Sequence, residues 1–363
     1  MNIEFIQALH DLEKEKGIKV DILLEAIEAA LISAYKKNFG SAHNVRVEIG
    51  RDTGEIKVLA QRQVVEEVSD PRTEISLAEA RAINSNYEIG DVVEREVTPR
   101  DFGRIAAQTA KQVVVQRIRE AERNLIYDEY IGRENDIVSG VVQRQEGKNI
   151  ILDLGRAEAI LLPGEQSPGE VYRQGERFKA YILEVRKTNK GPQILVSRTH
   201  PGLIKRLFEM EVPEIHDGIV EIKGVAREAG ARSKIAVHSR DEKVDPVGAC
   251  VGPKGSRVQA VVQELRGEKV DIIKWSDDPA VFVANSLSPA RVLDVTVDEE
   301  NKVSQVIVPD NQLSLAIGKE GQNARLAARI TGWKIDIKSE SEAGDWDTWD
   351  DDLEFADGII EEE

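Results

Sequence analysis

The spacing of apolar residues predicts that the chain begins with helices and a hairpin. Between Val20 and Lys37 the apolar residues recur every three or four positions, so residues 1–40 are expected to be helical. Residues 45–49 then alternate as a strand, 51–54 form a turn, 55–59 form the return strand, and 74–77 form a connection. A long amphipathic helix is predicted at 101–130, and its apolar face consists of Ala106, Ala110, Val114, Ile118, Ala121 and Leu125.

The pattern changes to short strands after residue 136. Five strand-like apolar segments lie at short spacing, at 137–142, 149–154, 158–163, 178–185 and 193–197. Glycine and proline separate them, and this arrangement is typical of a small Greek-key barrel of the OB type.

The last third of the chain contains one unit twice. Gly252-Pro253-Lys254-Gly255 and Gly318-Lys319-Glu320-Gly321 each join two short helical segments, and a strand-like segment follows. The second turn begins 66 residues after the first. Paired strands are predicted before each turn, at 218–225 and 232–238 in the first copy and at 291–297 and 302–308 in the second. A repeat of this length indicates two copies of a single fold.

These turns suggest how the chain could hold nucleic acid. Two glycines without Cβ atoms let a sugar–phosphate backbone approach the main chain, where N–H groups at the start of the following helix can bind phosphate. This is how KH modules clamp about four nucleotides of a single strand. The alternative is that each turn is only a helix connection. The predicted RNA contacts are Gly252, Pro253, Lys254, Gly255, Arg257, Gly318, Lys319, Glu320, Gly321, Asn323 and Arg325.

The barrel resembles the S1 RNA-binding domain. The resemblance is carried by Gly140, Gly155, Leu162-Pro163-Gly164-Glu165, Tyr172-Arg173-Gln174-Gly175 and Leu195-Val196-Ser197-Arg198. Many S1 domains place aromatic residues in the second strand, but residues 148–151 contain none. Stacking on an aromatic ring contributes about 1–3 kcal/mol per base, so weak binding is expected here. The predicted contacts are the cations Arg144, Lys148, Arg186, Lys187 and Lys190.

Composition limits the class of protein. A chain of 363 residues is expected to form two to four domains. It has no apolar run of about 18 residues, so no membrane span is expected, and its N-terminus lacks the pattern of a secretory signal. The single cysteine, Cys250, favours a cytoplasmic location.

The charge is concentrated at one end. The net charge of −17 would argue against a nucleic-acid partner, but residues 339–363 contain twelve Asp or Glu and no Lys or Arg. This composition predicts a disordered acidic tail, in which Trp346, Trp349, Leu353 and Phe355 could anchor a partner. The rest of the chain is therefore compatible with RNA.

Three longer strings resemble the NusA family of bacterial transcription factors: residues 99–112, 251–257 and 316–323. The resemblance implies a multidomain α+β protein. Its parts would be a helical/β N-terminal domain (1–130), an OB-type S1 β-barrel (134–200), two prokaryotic-type (type II) KH domains (201–290 and 291–338) and the acidic disordered tail (339–363). Some members of the family carry additional C-terminal helical repeats where this sequence has the acidic tail, so functions of those repeats are not transferred.

The resemblance also implies a function. We expect a cytoplasmic monomer that binds RNA polymerase through its N-terminal domain, holds nascent single-stranded RNA on the S1 and KH domains, and contacts other elongation factors. It would modulate pausing, intrinsic termination and antitermination. Arg104 and Lys111 lie within the first family-like string, so they are expected to contact polymerase or an RNA hairpin.

Two other classes of protein use the same RNA-binding modules. S1 and KH modules also accompany a phosphorolytic ribonuclease, but no segment is left for a catalytic core. The chain has no P-loop, and its five histidines show no metal-ligand spacing, so we expect no catalysis, cofactor or metal. A ribosome- or mRNA-associated S1/KH protein is the remaining alternative, although it would have no use for the N-terminal domain.

Overall fold

The structure is a computed structural model, and it describes residues 3–39 and 44–342. The helices are α1 (Ile3–Lys16), α2 (Val20–Phe39), α3 (Leu77–Ile83), α4 (Phe102–Ile131), α5 (Pro201–Glu211), α6 (Pro213–His216), α7 (Pro246–Val251), α8 (Ser256–Glu264), α9 (Pro279–Ser286), α10 (Leu313–Ile317) and α11 (Gln322–Thr331). The strands are β1 (Val45–Ile49), β2 (Ile56–Val65), β3 (Glu74–Ser76), β4 (Val92–Glu96), β5 (Ile137–Glu146), β6 (Asn149–Asp153), β7 (Glu158–Leu161), β8 (Arg177–Thr188), β9 (Gly191–Ser197), β10 (Val220–Glu228), β11 (Arg232–Ser239), β12 (Lys269–Lys274), β13 (Asp294–Asp298), β14 (Val303–Val308) and β15 (Lys334–Ser339). The predicted acidic tail lies outside the described residues from position 343 onward.

The chain divides into two compact units. The first contains residues 1–128 and 189–192, and the second contains 129–188 and everything from 193 onward. In the first unit, β2 is paired with β1, β3 and β4. Helices α1 and α2 and the first turns of α4 pack on this sheet through a core that includes Leu23, Ile27, Val58 and Phe102.

Several predictions for this unit need correction. Residues 74–77 were expected to be a connection, but they form β3 and the first residue of α3, and β4 was not predicted. Ile75, Val64 and Val93 make a second small core under α3. Leu125 was expected on the apolar face of α4, yet it is 61% exposed. The apolar periodicity therefore extends further along α4 than its buried face does.

The second unit begins with the predicted barrel. Its strands close in the order β5-β6-β7-β9-β8, which confirms the OB-type arrangement. Gly140 of β5 lies against Leu152 and Leu154, where a Cβ atom would approach Leu152 Cβ to 3.0 Å. A side chain at this position would therefore require Leu152 and Leu154 to shift.

Two three-stranded sheets follow, and each has one antiparallel and one parallel pair. The orders are β10-β11-β12 and β13-β14-β15, with the last two strands of each sheet parallel. Each sheet carries the two helices that flank a Gly-x-x-Gly turn, as expected for the repeated unit. Helix α9 was not predicted. It supplies Val283 to the core of the second sheet, together with Leu287 and Ala290, although 279–290 were expected to belong to the first KH unit.

The second repeat packs on the first. Phe282 of α9 and Ile330 of α11 contact Ala236 and Ile273 on the face of the first sheet that α7 and α8 leave open. Gly224 lies below Ile330, and a Cβ atom there would come within 3.3 Å of it. The corresponding face of the second sheet is mostly polar. Thr296, Gln305 and Asp336 form one cross-strand row there, and Val303 and Ile307 flank Gln305 on β14.

Buried ion pairs join the barrel to the first repeat. Arg198 is fully buried at the end of the barrel, where it donates to the Glu170 carboxylate and to the backbone oxygen of Glu264 on α8. Arg227 of β10 donates to the backbone oxygen of His200 and to both carboxylate oxygens of Glu268, at 2.8–3.0 Å. Because both pairs are saturated with hydrogen bonds, they hold the modules in one arrangement.

We predict that Glu268→Ala lowers the free energy of unfolding by about 3–5 kcal/mol. The side chain of Arg227 is 2% exposed, and the substitution would leave its charge buried without a partner. Urea unfolding measures the change. The control is Glu184→Ala, which breaks the exposed pair with Arg186 and should have little effect. Equal losses for the two variants would contradict the structural role of Arg227 and Glu268.

Candidate RNA-binding surface

The two Gly-x-x-Gly turns have the same backbone. The φ/ψ angles of the first glycine are 73°/176° at Gly252 and 79°/173° at Gly318. The third position lies in the left-handed region in both turns, with φ of 52° at Lys254 and 53° at Glu320. The last glycine is also left-handed, and a helix starts directly after it. The sequence repeat is therefore also a repeat of conformation, in a region that glycine occupies most readily.

The first glycine of each turn is also required by a close contact. A Cβ atom on Gly252 would lie 2.6 Å from Cγ of Arg257, and one on Gly318 would lie 2.8 Å from both Cβ and the backbone N of Asn323. Arg257 and Asn323 occupy the same position in the two repeats. The second helix thus crosses directly over the first glycine.

Arg257 and Asn323 both bind the preceding helix. Arg257 Nη1 donates to the backbone oxygen of Ala249 at 2.6 Å and to Glu214 at 2.9 Å. Asn323 Nδ2 donates to the backbone oxygens of Ala316 and Leu287 at 2.9 and 3.0 Å. Asn323 is 3% exposed, so the structure places it beneath the turn rather than on its surface. Both side chains satisfy helix-end carbonyls, and a direct RNA contact by Asn323 has no support from its position.

The N-termini of the helices that follow the two turns are open to a ligand. No side chain caps α8 or α11, whose N-cap residues are Gly255 and Gly321. The first helical residue, Ser256 or Gln322, donates its N–H back to the turn, so an anion would be bound by the N–H groups that follow and by the helix dipole. Pro253 and Lys254 are exposed, and the side chains of Lys319 and Glu320 are 90% and 82% exposed. Each turn thus combines a lysine with an uncapped helix start.

Arg325, in contrast, links the second turn to the first repeat. Its Nε donates to Glu228 of β10 at 2.7 Å, and its Nη1 donates to the backbone oxygen of Glu320 at 3.2 Å. Gln322 also donates to Glu228, at 2.8 Å. These hydrogen bonds, with that from Arg325 the largest cause, lower the pKa of Glu228. The carboxylate therefore remains ionised and fixes the start of α11 against the first sheet.

The predicted cations of the barrel lie in different surroundings. Arg144 donates to Glu146 and, with two nitrogens at 2.9 Å, to Glu158. Arg186 pairs with Glu184, and the hydrogen bond between them lowers the pKa of that carboxyl. Lys148, Lys187 and Lys190 are exposed. A phosphate near Arg144 or Arg186 would compete with carboxylates already in place.

Arg104 and Lys111 lie on the first unit, apart from the turns in sequence. Both are exposed on α4, and a separation of seven residues places them on one face, two helical turns apart.

The described part of the chain contains neither a cluster of metal ligands nor a membrane-spanning helix. Within 3–39 and 44–342, no three His, Cys, Asp or Glu residues are grouped to hold a metal ion. In the same residues, no helix combines the length and apolar character needed to cross a membrane.

A closed OB-type barrel joined to two Gly-x-x-Gly repeats defines a multidomain protein of the single-strand nucleic-acid-binding class. Comparison with known families agrees with this class. The NusA N-terminal domain family matches residues 4–124, the S1 RNA binding domain family matches 133–197, and the NusA-like first and second KH domain families match 198–275 and 279–345. The chain belongs to the NusA family.

Relatives match along almost the whole chain. It is 67% identical over 343 residues to the transcription termination/antitermination protein NusA of Halalkalibacterium halodurans, covering 94% of this chain and 90% of that protein. It is 66% identical to the protein of the same name from Bacillus subtilis, covering 94% and 92%. The solution structure of the N-terminal domain of NusA from B. subtilis is 65% identical, covers 34% of this chain and 99% of that one, and gives a TM-score of 0.32.

We predict that Gly318→Ala destabilises the protein more than Gly321→Ala does, by at least about 1 kcal/mol. Both glycines have positive φ, but only Gly318 has Asn323 within 3 Å of the added methyl group, whereas nothing lies within 4 Å at Gly321. Thermal melting of the two variants measures the difference. Equal melting temperatures would mean that the close crossing of α11 does not determine the residue at 318.

Proposed function

We propose that this chain is a transcription elongation factor that holds nascent single-stranded RNA on its barrel and paired turns while its N-terminal domain binds RNA polymerase. Through these two contacts it modulates pausing, intrinsic termination and antitermination. The name that the relatives carry, transcription termination/antitermination protein, supports this proposal. It includes no catalytic step, and it assigns the protein to the cytoplasm as a monomer.

The observation that carries the RNA part is the duplication of one turn conformation within one compact unit. Both turns present an exposed lysine beside an uncapped helix start. Glu228 ties the second turn to the first sheet through Gln322 and Arg325. With the turns fixed in one unit, a single RNA strand that contacts both avoids the entropy cost of ordering two separate modules.

The test of RNA binding adds charge within a turn. We expect the double substitution Pro253→Asp with Lys254→Asp to weaken binding of a long single-stranded RNA. Phosphates would meet two carboxylates at the start of α8, and aspartate tolerates the left-handed conformation at 254. Each phosphate that is no longer bound should make the salt dependence of binding shallower by about 0.7. RNA affinity at several salt concentrations measures this, and the same result is expected for Lys319→Asp with Glu320→Asp.

The matched control places an equal change of charge outside the turns. Lys205→Asp with Met210→Asp on α5 alters two exposed residues of the same repeat. This variant should retain most of the affinity. If the turn variants melt like the parent and still bind RNA with the parental affinity and salt slope, the turns are only helix connections.

A separate prediction concerns the first unit. We expect Arg104→Glu with Lys111→Glu to shorten the pauses that the protein prolongs at RNA hairpins, because two exposed cations on one face of α4 become anions. Pause half-life is the measurement, with Lys14→Glu and Lys19→Glu as an exposed control pair. An unaltered pause half-life would show that Arg104 and Lys111 do not contact polymerase or the RNA hairpin. Recovery of ribosomes rather than core polymerase in a pull-down with the parent would favour the mRNA- or ribosome-associated alternative.

A further inference from the structure

On one face of the sheet of the N-terminal unit, the apolar surface is interrupted between the two hydrophobic cores. Side chains at alternate positions of a strand share a face, so residues 58, 60, 62 and 64 of β2 point to the same side. Val58 belongs to the core under α1, α2 and α4, whereas Val64 belongs to the core under α3. Between them lies Arg62, and its partner across β4 is Val93.

A second arginine lies on the same face of this interval. Arg95 is opposite Ala60 in the register of β2 and β4, so it is a diagonal neighbour of Arg62. Two strands that are apolar on this face at either end thus carry guanidinium groups where the helices leave the sheet uncovered. A position of this kind is ordinarily filled by an apolar side chain or by solvated polar groups of both signs.

The interval opens into a cavity of about 490 Å³. Its lining includes Arg62, Arg72 and Arg95, with Tyr35 and Pro71 on the apolar side and Glu96 as the carboxylate. Arg72 comes from the turn before β3, so three separate segments each direct one guanidinium-bearing residue to the cavity. Three positive charges and one negative charge give the cavity an excess of positive charge.

The arginines of this cavity differ from another arginine on the same sheet. Within residues 3–39 and 44–342, neither Arg62 nor Arg95 forms an ion pair, whereas Arg72 contacts Asp70 at 3.8 Å and takes part in a further interaction. Arg46 lies on the opposite face of the sheet, where it pairs with Glu48 at 2.8 Å and Glu94 at 3.7 Å. The like charges of Arg62 and Arg95 on neighbouring strands repel one another, and an oxyanion would relieve this repulsion.

We propose that this cavity, lined by Arg62, Arg72 and Arg95, binds the phosphodiester backbone of single-stranded RNA, which gives the N-terminal unit an RNA contact of its own. The inference rests on the proposed function, because it requires nascent RNA to be present near the N-terminal unit. Phosphate oxygens match the planar fork of arginine, and contacts of this type position a strand without reading its bases. An acidic surface of a protein partner would present carboxylates to the same arginines, and the experiment separates the two ligands.

The experiment uses the full chain. A double variant that carries both Arg62→Gln and Arg95→Gln is compared with the control variant Arg46→Gln. Binding of a long unstructured RNA is measured at several salt concentrations, with core RNA polymerase binding and thermal melting as parallel measurements. We expect the double variant to bind RNA more weakly, with a salt slope shallower by about 0.7 for each phosphate that the variant no longer binds. Arg46→Gln should match the parent, and polymerase binding should not change.

The outcomes distinguish this inference from the proposed function. If the double variant melts like the parent and keeps the parental RNA affinity and salt slope, the inference is wrong, whereas weaker RNA binding by the Pro253→Asp, Lys254→Asp variant would still support the turns. If the double variant no longer binds polymerase and keeps RNA binding, the cavity receives an acidic protein surface, which also overturns the inference. If both variants bind RNA like the parent, the proposed function fails as well.

Discussion

The packing of α9 and α11 on the first KH sheet is the constraint on which the RNA-binding unit depends. Two positions of the face have little or no side chain, Ala236 and, beneath Ile330, Gly224, and Phe282 packs beside them with Ile273. Lys234 is buried in the same face, where its Nζ donates to the backbone oxygen of Ser288 at 2.8 Å and to Asp271 at 3.2 Å. Burial lowers the pKa of this amine, while Asp271 opposes that shift. The connection between the repeats is therefore held by polar contacts as well as apolar ones.

The close crossing within each repeat shows how a local requirement produces a functional geometry. A helix can pass over a preceding turn only where that turn lacks a Cβ atom, which Gly252 and Gly318 satisfy. The same turns place an exposed lysine, Lys254 or Lys319, just before a helix start that no side chain caps. An anion site of this type depends on backbone dipoles, so a protein with a net charge of −17 can retain it. By contrast, the barrel residues Arg144 and Arg186 are already paired with carboxylates.

The parts of the fold that depend on local rules were predictable from the sequence. The glycine spacing located both turns, and short apolar segments separated by glycine and proline located all five barrel strands, because each signal is contained within a few neighbouring residues. Helix α9 was missed because eight mostly apolar residues between a proline and a serine do not show a helical period; its burial between two sheets is a tertiary effect. Strand β4 was missed because Arg95, on the same face as the buried Val93, breaks the alternation of apolar and polar residues. The roles of Asn323 and Arg325 depend on Leu287 and Glu228, which are distant in sequence and were not foreseeable from spacing.

The polar outer face of the second KH sheet has a consequence for how such arrays are assembled. Repeat proteins grow by stacking each copy on a matching surface of the previous one, and they stop where a copy presents a surface that favours water. The first sheet offers Gly224, Ala236 and Ile273 to the next repeat, whereas the same face of the second combines Val303 and Ile307 with the polar residues Asp294, Thr296, Gln305, Lys334 and Asp336. A domain that packed there as the second repeat packs on the first would have to remove these charged and amide groups from solvent. The two sheets therefore offer different surfaces to a neighbour, so the packing between the repeats has a direction.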